Sequence, residues 1–63
     1  MPIMVVHMME GRSNEQKERL IEKLTDAAVE ALDAPRQSVR VMLQEMPKTH
    51  FGVGGVTAEK LGK

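Results

Sequence analysis

One helix between two strands is the arrangement that most constrains this chain, because a single helix covers a single face of a sheet. The N-terminal run PIMVVHMM, Pro2 to Met9, is apolar at both alternating positions, which is the mark of a strand covered on both sides. EGRS then breaks the pattern. Ser13 is a good N-cap, and Gln16 three residues on completes a capping-box signature. Leu20, Ile21, Leu24, Ala27, Ala28, Ala31 and Leu32 follow at helical spacing and predict one apolar stripe. Lys17, Glu18, Glu22, Lys23, Asp26 and Glu30 read as the solvated opposite face. The helix should end near Asp33, because Pro35 biases Ala34 away from helical geometry.

VRVMLQEM, Val39 to Met46, reads as a second strand. Val39, Val41 and Leu43 share one face, and Arg40, Met42, Gln44 and Met46 share the other. Strand, helix, strand implies a right-handed crossover and parallel pairing. HFGVGGVT reads as a glycine-rich turn or small hairpin. It opens no helix and lacks the Gly-Lys-Ser/Thr of a phosphate loop. The expected fold class is α/β (α+β by some schemes). It is a single β-α-β unit with parallel strands plus a short C-terminal hairpin, in one domain over residues 1–63.

A chain of 63 residues buries only about 60% of its unfolded surface and is marginal alone. Small domains draw on disulfides, metals or partner chains. There is no cysteine, and His7 and His50 lie too far apart to read as metal ligands, so the expected device is a homo-oligomer. His7 reads as an interface or core histidine and His50 as a structural one. Nine basic and nine acidic side chains balance, and Phe51 is the sole aromatic, which argues against a nucleic-acid surface. The longest apolar stretch is far too short to span a membrane and lacks the marks of a signal peptide. The expected setting is therefore cytoplasmic, with no membrane partner.

Three residues carry candidate chemistry. Met1 is normally removed ahead of proline, which would leave Pro2 as an amino-terminal secondary amine able to act as base or nucleophile. Otherwise Pro2 merely begins a strand without needing an N–H. Arg12 directly precedes the helix N-cap, where its planar fork suits a carboxylate; it also reads as an ordinary loop arginine. Arg40 interrupts a strand face expected to be buried in an assembly, so it needs a salt-bridge partner or a ligand. Pro2 and Arg12 sit at opposite ends of the first strand, about 26 Å apart at 3.3 Å per residue. Antiparallel edge pairing of two chains would bring one chain's Arg12 near the other's Pro2. Two nearby arginines would disfavour protonation of the amine and suit a base acting on a dianionic enol or keto acid.

The P-I strand start, EGRS followed by EQK, LDAP followed by SVRV, and EM, K, HFG and GG in order resemble the 4-oxalocrotonate tautomerase (2-hydroxymuconate tautomerase) family. The resemblance runs from Pro2 to about Gly55 without a gap. It implies a homohexamer built as a trimer of dimers, with sites shared between chains. It also implies cofactor-independent conversion of 2-hydroxymuconate to 2-oxo-3-hexenedioate in aromatic-compound catabolism. Carried over by position, Pro2 is the general base and Arg40 holds the near carboxylate and the 2-oxygen. Arg12 binds the distal carboxylate, Phe51 forms an apolar wall, and the backbone of Met9 lines the pocket. Phe51 also has a plain packing role in the turn. No cofactor or metal is implied. Pro47, Thr49, Val56 and the tail after Gly55 depart from the family pattern, which bears on the exact substrate. Other readings are a tautomerase acting on another enol acid, in biosynthesis or dehalogenation, and a non-catalytic carboxylate-binding module.

Overall fold

The computed structural model describes residues Met1–Lys63. The first apolar run forms strand β1, Ile3–Met9. Helix α1, Asn14–Leu32, follows, and strand β2, Arg40–Met46, pairs parallel with β1. The register runs from Ile3 opposite Arg40 to Met9 opposite Met46. One backbone bond continues the pairing beyond each end of the strands. The Arg40 N–H donates to the Pro2 carbonyl at 2.9 Å, and the Glu10 N–H donates to the Met46 carbonyl at 2.9 Å.

The capping box forms as the sequence implies. The Gln16 N–H donates to Ser13 Oγ at 3.1 Å, and the Ser13 N–H donates to Gln16 Oε1 at 3.0 Å. Two donors that a helix start leaves unpaired are thereby satisfied. At the other end Asp33 takes a left-handed conformation, φ 54° and ψ 38°, which terminates α1. A short 3-10 turn, Arg36–Ser38, carries the chain into β2. Arg36 Nη1 forms an ion pair with the Asp26 carboxylate at 2.8 Å, which ties that turn back to the helix.

A second 3-10 turn, Lys48–His50, leads to a hairpin of β3, Gly52–Val53, and β4, Val56–Thr57. Gly54 and Gly55 form its tip with φ of 60° and 85°. Two consecutive positive φ values define the type I′ turn, whose twist matches that of the flanking strands.

Met4, Val6, Met8, Val41 and Leu43 lie half-buried beneath α1. The predicted helical stripe divides. Leu20, Leu24 and Ala28 face inward, with Thr25 and Val29 half-buried, whereas Ile21, Ala27, Ala31 and Leu32 are exposed. Two strands about 5 Å apart are narrower than a helix about 10 Å across, so they cover only part of so wide a stripe. The opposite sheet face carries Ile3, Val5, His7, Arg40, Met42 and Gln44, all exposed. His7 therefore belongs to no core within this chain. Only Ala28 and Ala58 are buried. The chain is a plate of 43 × 24 × 13 Å with a radius of gyration of 14.7 Å. A self-contained domain of this length would have a radius of gyration of about 11 Å. Replacing Ser13 with alanine should lower stability by about 1 kcal/mol in urea denaturation at matched protein concentration. An unchanged midpoint would contradict the role given to the cap.

Candidate active site

Parallel pairing decides which site residues meet within one chain. Pro2 and Arg40 lie at one end of the sheet, joined through the 2.9 Å bond from the Arg40 N–H to the Pro2 carbonyl. The ladder uses the carbonyl of Pro2 and makes no use of its nitrogen. Met1 is 78% exposed and lies outside both strands, so its loss would leave the paired backbone intact. The Arg40 guanidinium donates through Nη1 to the Gln37 carbonyl in the turn that precedes β2. A guanidinium has five N–H donors, so one such bond leaves most of the fork for an anion. Within the chain Arg40 has no carboxylate partner.

Arg12, Met9 and Phe51 lie toward the other end. Seven strand residues at about 3.3 Å each separate the two groups by roughly 23 Å. Met9 closes the register opposite Met46. Phe51 follows the second 3-10 turn and is 41% exposed, while its carbonyl accepts from the Ala58 N–H at 2.7 Å. That bond fixes its backbone at the base of the hairpin. Arg12 joins Met8, Gln16, Lys17 and Leu20 around an open groove of about 310 Å³. Neither Pro2 nor Arg40 borders this groove, and a single chain does not unite the five candidate residues.

Sequence reasoning assigns Lys17 to the solvated face of α1. Its ammonium instead pairs with Glu45 on β2 at 2.9 Å, with side-chain exposures of 23% and 32%. The signal is present in the sequence, because Lys17, Leu20, Leu24 and Ala28 follow one another at three- or four-residue steps on one helix face. The Gln37 carbonyl that orients Arg40 leaves no such trace, since a backbone acceptor is invisible in side-chain patterns. No group of three or more His, Cys, Asp or Glu side chains is placed to hold a metal ion. No helix is long and apolar enough to cross a membrane.

Residues 2–61 match the family described as tautomerase enzyme. The 2-hydroxymuconate tautomerase of Stutzerimonas stutzeri is 54% identical over 63 residues, the full length of both chains. A solved structure of the 4-oxalocrotonate tautomerase isozymes from Methylibium petroleiphilum superposes with a TM-score of 0.93 at 45% identity. That match covers 98% of this chain and 100% of the other. A heterohexamer 4-oxalocrotonate tautomerase from Chloroflexus aurantiacus J-10-fl superposes with a TM-score of 0.91 at 44% identity, covering 97% of this chain and 98% of its own.

Proposed function

The chain belongs to the tautomerase enzyme family, and from that premise we propose that it is a cofactor-independent keto–enol tautomerase converting 2-hydroxymuconate to 2-oxo-3-hexenedioate. The observation that carries the assignment of roles is the backbone bond from Arg40 to Pro2, which brings a potential base and an anion-binding fork to one end of one sheet. With Met1 removed, Pro2 presents a secondary amine. Its lone pair takes the proton of the 2-hydroxyl group as the C2 carbonyl forms. The diene electrons shift to a C3–C4 double bond, and C5 receives the proton. Substrate and product are isomers, so the step needs no external reactant. Arg40 holds the near carboxylate and stabilises charge on the 2-oxygen. Arg12 binds the distal carboxylate bidentately. Phe51 and the backbone of Met9 enclose the carbon chain.

The roughly 23 Å between sheet ends supports drawing these residues from more than one chain. The proposed assembly is a homo-oligomer in which β1 edges pair antiparallel, so that one chain's Pro2 approaches its neighbour's Arg12. The open faces bearing Ile3, Val5 and Met42 then pack against other such pairs, which gives a hexamer as a trimer of dimers. The heterohexamer relative from Chloroflexus aurantiacus supports that number. Each chain contributes one tautomerase domain, and the proposed setting is cytoplasmic catabolism of aromatic compounds.

The direct assay is ultraviolet absorbance of 2-hydroxymuconate, with protein shown by intact mass to begin at Pro2. Rapid ketonisation is expected, and Pro2→Ala should lose at least about a hundredfold while keeping its oligomeric state, because general bases contribute roughly 10²–10⁴. A Pro2→Ala enzyme with full activity would refute the need for the secondary amine of proline. Wild-type ketonisation at the background rate would point instead to another enol acid, tested first with phenylenolpyruvate. Arg12→Ala should raise KM for the dicarboxylate by about tenfold or more and spare monocarboxylate enols, as loss of a charged hydrogen-bonding partner implies. Equal losses on both would remove Arg12 from distal-carboxylate recognition.

A further inference from the structure

Arg12 sits in a segment with little support of its own. Gly11 before it has a φ of 128°, a conformation that side chains rarely adopt, and the Arg12 guanidinium has no carboxylate partner. On one side the chain is held by the bond from Glu10 to Met46. On the other it runs into the first turn of α1, where Ser13 and Gln16 bond reciprocally. The Lys17 N–H donates to the Ser13 carbonyl at 3.1 Å and closes that turn. The Lys17 side chain then crosses to Glu45 at 2.9 Å, the one side-chain hydrogen bond between α1 and a strand. Glu45 stands opposite Met8 in the register, and Met8, Arg12 and Lys17 border the same groove. The place of Arg12 relative to the sheet is thus set by the Glu10–Met46 bond on one side and, through the first turn of α1, by the half-buried Lys17–Glu45 pair on the other.

We propose that the Lys17–Glu45 pair is a positioning device for Arg12 and thereby sets the preference of the site for a dicarboxylate over a monocarboxylate. This rests on Arg12 as the distal-carboxylate ligand. Lys17 itself does not contact the ligand, because its ammonium is committed to Glu45, and Arg12 remains the unpaired cation of the groove. The pair acts on ligand affinity at one end of the substrate and leaves the proton-transfer end unchanged.

The test uses the assembled protein and two non-reacting probes, adipate and hexanoate, with dissociation constants from calorimetry. Wild-type protein should bind adipate more tightly than hexanoate. Lys17→Met keeps the aliphatic stem and should fold, and it should weaken adipate by about fivefold while leaving hexanoate unchanged, the scale of a partly exposed ion pair. Glu45→Gln should act in the same direction, and Lys17→Arg should retain the wild-type ratio. If Glu45→Gln tightens adipate, Lys17 is a direct ligand and the positioning role is overturned. It is overturned equally by an unchanged adipate-to-hexanoate ratio in both variants, by parallel losses on both acids, or by no wild-type preference. Binding needs no turnover. Failure of the tautomerase reading would therefore appear separately, as absent ketonisation with adipate selectivity intact.

Discussion

The parallel pairing of β1 with β2 requires a crossover, and α1 is that crossover. Its register places the Pro2 carbonyl against the Arg40 N–H at one end and Met9 against Met46 at the other. Proline suits the start of this ladder because only its carbonyl is used, which leaves its nitrogen for other purposes. Once the register is set, the two candidate groups are fixed at opposite ends, and no side-chain rearrangement closes a gap of roughly 23 Å. The backbone geometry thus supports a division of the proposed site between chains.

The same constraint explains the open surfaces. One helix covers one face of a two-stranded sheet and leaves Ile3, Val5 and Met42 exposed, along with both strand edges. Unpaired edges and apolar faces are features that proteins ordinarily cover. In the proposed oligomer they are the joints. The small residues and the apolar remnant of the helical stripe, Ile21, Ala27, Ala31 and Leu32, add a third surface of the same kind. Charged groups play a local part. Asp26 with Arg36 fastens the second half of α1 to the 3-10 turn before β2, and Lys17 with Glu45 fastens its first turn to β2 itself.

The elements were legible because each has a local cause. The Ser13–Gln16 box, Pro35 and the paired glycines Gly54 and Gly55 act over a few residues, and strand alternation assigned Arg40 and Met42 to the uncovered face correctly. The width of the buried stripe was not legible, since it depends on how many strands lie below the helix. The Lys17–Glu45 pair spans 28 positions in the chain and depends on the crossover bringing those positions together. For the site, Pro2, Arg12 and Arg40 stood out as chemical types out of place in their segments. Their grouping into two ends emerged only with the register, and the acceptor for Arg40 is a backbone carbonyl that no side-chain pattern marks.

The division of the site between chains is tested most directly by mixing. Equal amounts of Pro2→Ala and Arg12→Ala chains, unfolded together and refolded, form mixed oligomers, assayed at low 2-hydroxymuconate concentration. If each site draws Pro2 from one chain and Arg12 from another, random mixing restores both intact residues at about a quarter of sites. Activity should then rise well above that of either variant refolded alone. A mixture no more active than the average of its two parents, with mixed oligomers present by native mass, would show that each chain builds its site by itself and would contradict the account.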